Sequence, residues 1–280
     1  MRTEYILGLN PHGFHKLAVH LWGDDKCTDV PTMCVHGLTR NGRDFDRLAE
    51  RLSATRPVYC PDMAGRGLSD DLPDPADYNF TQYIADTTVL MTRPCSLQVD
   101  WVGTSMGGLL GMMLAAKVGT PIHRLVLNDV GPVIPKESLD RIGTYVGEQP
   151  VFDTLEAVEA HMRKIYASFA VPTDKDWTDM AANGVRKTPD GRFVLAYDPR
   201  IADAFKGENE AVDLWDVYDK ITCPTLLIRG AHSDVLPREI AQEMTQRGPR
   251  AQLVEIEGAG HAPALMSDEQ TNLIAKFLEG

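Results

Sequence analysis

The chain has 280 residues, enough for one large domain or two small ones, and its 43% hydrophobic and 24% charged residues are ordinary for a soluble globular protein. A formal net charge of −12 argues against a nucleic-acid phosphate backbone and against an anionic membrane surface as partners. The five cysteines (Cys27, Cys34, Cys60, Cys95 and Cys223) are scattered, with no Cys-x-x-Cys pair and no Cys/His cluster, so neither a disulfide framework nor a metal site is indicated. No apolar signal core follows Met1 and no run reaches membrane-spanning length, so the expected location is cytoplasmic, with idle thiols in a reducing compartment.

Residues 4–9 and 14–22 read as strands around the turn residues Asn10-Pro11-His12-Gly13, which predicts an opening hairpin. Thr32-Met33-Cys34-Val35 is a short apolar run that ends in His36-Gly37-Leu38, the pattern of a buried strand running into a loop. Asn41 is placed to cap the next helix, whose Phe45, Leu48, Ala49 and Leu52 recur at helical spacing. Val58-Tyr59-Cys60 is the next strand, and it closes in Asp62-Met63-Ala64-Gly65-Arg66-Gly67-Leu68-Ser69. A helix is expected over residues 81–91. The strand Leu97-Gln98-Val99-Asp100-Trp101-Val102 then runs into Gly103-Thr104-Ser105-Met106-Gly107-Gly108 and a helix over 109–118. Strands follow at 124–129, 225–230 and 252–256. A helix is expected over 237–246, and the Ser267-Asp268-Glu269-Gln270 capping box opens the last one.

Strand alternating with helix over residues 32–131 and again from 225 onward predicts a mainly parallel sheet with helices on both faces. Residues 132–221 break that rhythm and are rich in aromatics. They are expected to form a cap over the ligand crevice, carried on a core of residues 1–131 and 222–280.

Gly-x-Ser-x-Gly at a strand-to-helix turn sets Ser105 on an elbow, with its hydroxyl clear of the backbone. A serine hydroxyl needs a neighbouring base, and the base needs a carboxylate to orient it. Gly258-Ala259-Gly260-His261, directly after the last strand, offers His261 as the base; His36, His123, His161 and His232 are placed less well. Asp234, in the loop after strand 225–230, is the expected acid, because the common arrangement has the order Ser…Asp…His with the acid on the loop of the penultimate strand. Asp129, just after strand 124–129, is the alternative, with a structural acceptor as its plainer role. The oxyanion donors expected are the backbone N–H groups of Met106 and Leu38.

With these segments in place the chain resembles the α/β-hydrolase superfamily over nearly its whole length. The landmarks are His36-Gly37-Leu38, Asp62 to Ser69, the Ser105 elbow, Gly230 to Asp234 and Gly260-His261. The resemblance implies an eight-stranded sheet, a helical cap between the sixth and seventh strands and a Ser-Asp-His triad. Serine rather than aspartate at the elbow sets the chain apart from the haloalkane dehalogenase and epoxide hydrolase branches. The expected reaction is cleavage of a small or medium carboxylic ester through an acyl-enzyme, with the ester and water as the only partners and no cofactor or metal. Rival readings are carbon–carbon hydrolysis of ring-cleavage products, cofactor-free perhydrolysis, and a ligand receptor that does not turn over. Arg40 is a candidate anchor for a substrate carboxylate, against a structural ion pair with Asp44 or Asp62. Tyr145, Trp177 and Trp215 are candidates to line the pocket, against a place in the core of the cap.

Overall fold

The computed structural model describes residues 1–24, 30–94, 96–206 and 210–280, so Cys27 and Cys95 lie outside the described residues. The expected hairpin is present: β1 (Arg2–Asn10) and β2 (Gly13–Trp22) pair antiparallel. β3 (Thr32–Val35) is followed by a 3₁₀ turn at Gly42–Phe45 and α1 (Asp46–Leu52), then β4 (Val58–Pro61), α2 (Phe80–Leu90), β5 (Val99–Thr104), α3 (Met106–Ala115) and β6 (Ile122–Asn128). The Asn41 side chain accepts the Arg43 N–H at 3.0 Å and so caps the 3₁₀ turn, not the α-helix expected from its sequence position; α1 follows that turn, with Phe45 at its N-cap and no side-chain cap bond.

Next comes an inserted segment. It contains β7 (Val133–Ile134), α4 (Lys136–Gly143), α5 (Leu155–Ile165), α6 (Asp174–Asn183), β8 (Val185–Lys187), β9 (Phe193–Leu195), β10 (Val212–Asp213) and α7 (Trp215–Tyr218). The chain then returns to the main sheet with β11 (Thr225–Gly230), α8 (Arg238–Met244), β12 (Gln252–Ile256) and α9 (Asp268–Glu279). Ser267 accepts the Gln270 N–H at 3.2 Å and so starts α9.

The main sheet has eight strands in the order β1-β2-β4-β3-β5-β6-β11-β12. β2 pairs antiparallel with both its neighbours and every other pairing is parallel. Successive strand residues point to opposite faces, and the central strands β3, β4, β5 and β11 are buried almost throughout, which is why they read as short apolar runs, whereas the edge strand β1 leaves Tyr5, Leu7 and Leu9 exposed. Met33, Trp101, Leu125, Leu127 and Leu227 pack on the side that carries α2, α3 and α8. Cys34, Val102, Val126, Leu226 and Ile228 pack on the side that carries α1 and α9.

The inserted segment is less purely helical than expected. Besides its helices it holds two small antiparallel sheets, β7 with β10 and β8 with β9. The second is a hairpin in which Pro189-Asp190-Gly191 turns the chain between Val185 and the Phe193-Val194-Leu195 run, and Gly191 takes the positive φ that the turn needs. Among the described residues, no helix is long and apolar enough to cross a membrane.

Trp101 is fully buried in the middle of the sheet, and its indole N–H donates to the Gly107 carbonyl at 3.0 Å. Trp101→Ala is therefore expected to lower the unfolding free energy by roughly 3–5 kcal/mol through lost burial and an unfilled cavity. Urea denaturation of the variant beside the wild type checks this; a loss under about 1 kcal/mol would show that the site collapses around the gap.

Candidate active site

The turn between β5 and α3 is forced by two close approaches of backbone. A Cβ on Gly103 would lie 2.3 Å from the Gly107 carbonyl oxygen, and one on Gly107 would lie 2.0 Å from the Val35 carbonyl oxygen. Only glycine lets α3 start this close to β3. Ser105 between them has φ 51° and ψ −113°, a region that side chains of L residues rarely adopt. Its N–H donates to the Asn128 carbonyl and its carbonyl accepts the Leu109 N–H, each at 3.0 Å, so the strained residue is held from both sides.

His261 lies in the loop after β12, with Nε2 3.0 Å from Ser105 Oγ. Its Nδ1 is 2.7 Å from Asp129 Oδ2, not from Asp234. The expectation of Asp234 as the orienting acid is thus corrected to Asp129. Asp129 directly follows β6, the neighbour of β5 in the sheet, and its positive φ of 56° turns the side chain inward. The carboxylate is fully buried. Oδ1 accepts the Gly230 N–H at 2.7 Å and Oδ2 accepts the Ser233 hydroxyl at 2.6 Å. The loop after β11 therefore supports the Asp129 carboxylate and does not bring Asp234 to the histidine. Asp234 turns outward, half-exposed, onto the Arg141 guanidinium of α4, with Nε at 2.5 Å and Nη2 at 3.1 Å.

The loop after β3 is pinned at several points. His36 is completely buried, and its Nε2 accepts the Met63 N–H at 3.0 Å. A backbone N–H can only donate, so the ring proton sits on Nδ1, which donates to the Gly37 carbonyl at 2.7 Å. Burial, partly opposed by that bond, pushes the His36 pKa down to about 4. Arg66, fully buried from the segment after β4, donates from Nε to the Leu38 carbonyl at 2.8 Å and places Nη2 3.7 Å from the Met106 sulfur. Asp62 accepts the N–H groups of Gly42 and Leu68. Gly67, at φ 53°, leaves room for that carboxylate, because a Cβ there would sit 2.2 Å from Oδ2. Leu38 and Met106, the expected oxyanion donors, both line the cavity beside Ser105. Met106 is the first residue of α3, where the N–H has no acceptor within the helix.

The cavity over Ser105 measures about 430 Å³ and is lined jointly by the sheet loops and the inserted segment, including Ile142, Tyr145, Tyr166 and Phe205. The insertion also braces the histidine loop. Ser168 donates its hydroxyl to the His261 carbonyl at 3.0 Å, and the Gly260 N–H donates to the Ser168 carbonyl at 2.7 Å.

Tyr145 lines the cavity as expected, and so does Arg40. The Arg40 fork, however, is closed by Asp44 through Nε at 2.8 Å and Nη2 at 2.5 Å, and it stacks 4.8 Å from the Tyr166 ring centroid. Trp177 and Trp215 are not in the lining. Trp177 is buried in α6 beneath the Arg163 guanidinium, and Trp215 packs on Tyr218 under Arg247. Arg141, which no motif marks, is in the lining instead. Among the described residues, no group of three or more His, Cys, Asp or Glu side chains could hold a metal ion.

The sequence model described as the alpha/beta hydrolase family matches residues 33–272. The chain is 40% identical to the 3-hydroxybutyrate-oligomer hydrolase of Cupriavidus necator, over 100% of this chain and 98% of that protein. It is 29% identical to the 2-(acetamidomethylene)succinate hydrolase of Mesorhizobium japonicum, over 87% and 86% of the two chains. Among solved structures, an alpha/beta hydrolase from Novosphingobium aromaticivorans superposes with a TM-score of 0.87 at 36% identity, covering 99% of this chain and 98% of that one.

The buried His36 ties stability to pH with a definite sign. Its pKa of about 4 in the folded chain lies below the ordinary 6.5, so between these values the unfolded chain binds a proton that the folded one refuses. Its contribution is whole above pH 6.5, shrinks as pH falls through that window, and has gone near pH 4. It is worth roughly 3 kcal/mol in all. His36→Gln should therefore be markedly less stable than the wild type at pH 7.5, and the gap should narrow at pH 4.5 in urea denaturation. A gap that stays constant would refute the assignment.

Proposed function

Because the chain belongs to the alpha/beta hydrolase family, we propose that it is a serine hydrolase that cleaves short hydroxyacid esters of the 3-hydroxybutyrate-oligomer type through an acyl-enzyme. The observation that carries the chemistry is the hydrogen-bonded line from Ser105 Oγ through His261 to the buried Asp129 at the floor of a closed-over cavity. The substrate class is supported by the Cupriavidus relative, which matches end to end.

His261 Nε2 takes the proton of Ser105 as the hydroxyl attacks the ester carbonyl. Asp129 keeps the other ring proton on Nδ1 and stabilises the imidazolium that forms. The N–H groups of Leu38 and Met106 receive the oxyanion, and the positive end of α3 adds to them. His261 then returns the proton to the departing alcohol. Water, activated by the same imidazole, releases the acid and frees Ser105. The inserted segment acts as the cap, excluding bulk water and limiting the size of the acyl and alcohol groups.

The test is hydrolysis of the 3-hydroxybutyrate dimer and of p-nitrophenyl butyrate by four proteins. Ser105→Ala should lower kcat by about 10⁴ or more. Asp129→Asn should come within roughly tenfold of that loss, because the wrong imidazole tautomer is then held. Asp234→Asn should retain turnover of the neutral ester. Wild-type protein inert toward both esters would overturn the ester reading, and turnover that survived Ser105→Ala would overturn the mechanism.

A further inference from the structure

The ionisable groups around the cavity are unequal in what they can offer a ligand. His261 is committed to Ser105 and Asp129. Arg40 is 6% exposed, and its fork is filled by Asp44. Arg141 differs on each count. It belongs to the inserted segment, lines the same cavity as Ser105 and is 44% exposed, so it stands where the cavity meets solvent. Its ion-pair partner Asp234 is 50% exposed and does not itself line the cavity. The pair engages Nε and Nη2 and leaves the two N–H groups of Nη1 outside it. A half-exposed pair of this kind is weak, and its carboxylate can return to water at little cost. The guanidinium is not anchored only through Asp234, because its carbon also lies 6.0 Å from the Tyr145 ring centroid. Leu139 and Ile142 on the same helix line the cavity and fix the approach of α4.

We propose that Arg141 is the specificity-determining residue that receives a carboxylate on the alcohol part of the ester, with Asp234 as the built-in stand-in that this carboxylate displaces. The assignment rests on the ester-hydrolase reading above. A planar guanidinium presents paired N–H groups that match a carboxylate, and exchanging one carboxylate for another conserves the charge balance at the opening. In a 3-hydroxybutyrate oligomer only the terminal unit carries a free carboxylate. Held at Arg141, that unit would be the leaving alcohol, and the oligomer would be shortened from its acid end. The hydroxyl end would then fill the interior, against apolar residues such as Val146 and Phe205.

The experiment compares two pairs of esters. One pair is the 3-hydroxybutyrate dimer as free acid and as its terminal primary amide. The other is 4-carboxyphenyl butyrate and 4-carbamoylphenyl butyrate. In the wild type the acid of each pair should show a KM at least about tenfold below that of the amide. Arg141→Gln should bring that ratio close to one by raising the KM of the acid more than it changes kcat. Arg141→Lys should restore part of the preference. Asp234→Asn removes the competitor and should lower the KM of each acid relative to that of its amide.

A ratio that is unaltered in Arg141→Gln, or one that is already near one in the wild type, would overturn the assignment. So would an equal loss on acid and amide, which would mark Arg141 as merely structural. If the dimers are not cleaved but the phenyl esters are, the hydroxybutyrate reading fails, while the carboxyphenyl pair still decides the role of Arg141.

Discussion

The site depends on a gap of backbone width between α3 and β3. Because Gly107 has no Cβ, the start of the helix passes within contact of the Val35 carbonyl, and Ser105 is driven into its positive-φ turn. Strain of that kind costs on the order of 1–3 kcal/mol. It is held by the bonds from Ser105 N–H to Asn128, from Leu109 N–H to Ser105, and from the Trp101 indole to Gly107. At roughly 1 kcal/mol net each, these are of the right size to fix the turn. The same closeness brings Met106 and the loop after β3 into the wall of one cavity with Ser105.

The second layer of the site is non-local. Asn128 donates its side-chain N–H groups to Thr104 Oγ1 and to the Pro263 carbonyl, so the end of β6 clamps both the elbow and the segment after His261. From the other side, the inserted segment reaches the same segment through Ser168 and through the Phe169 carbonyl, which accepts the Ala264 N–H at 2.9 Å. His261 is thus positioned by β6 and by the insertion together, and the insertion is part of the frame that aims the imidazole. The cavity wall and the His261 loop share hydrogen bonds, so a change near Ser168 reaches the backbone that carries the imidazole.

Much of this is legible in the sequence because it is local. The hairpin, the central strands, the caps at Asn41 and Ser267, the serine elbow and the histidine loop all announce themselves within a few residues. What is less legible depends on which strands lie side by side. Asp129 and Asp234 both follow strands, and the spacing along the chain does not say which carboxylate turns inward. The answer lies in β6 sitting between β5 and β11, which brings Gly230 N–H and the Ser233 hydroxyl to Asp129. The aromatic residues of the insertion pose the same difficulty. Tyr145 reaches the cavity while Trp177 and Trp215 fill packing gaps, and aromatic content alone does not separate those fates. Arg141 belongs to no motif, so only its place on the cavity wall draws notice.

The choice between the two aspartates follows from magnitudes. A carboxylate as buried as Asp129 loses several kcal/mol of hydration. It is stable there only because it accepts from a backbone N–H, a hydroxyl and an imidazole N–H, each bond to a charged acceptor worth about 1.5–3 kcal/mol. Those bonds fix its orientation, and the fixed carboxylate in turn selects one imidazole tautomer. Asp234 stays half in water, where its ion pair with Arg141 is worth about 1 kcal/mol or less. Such a group cannot impose a tautomer on a histidine, but it can yield to another anion. Burial thus separates two residues of identical chemistry. One is rigid enough to orient the imidazole, and the other is labile enough to stand at the opening of the cavity.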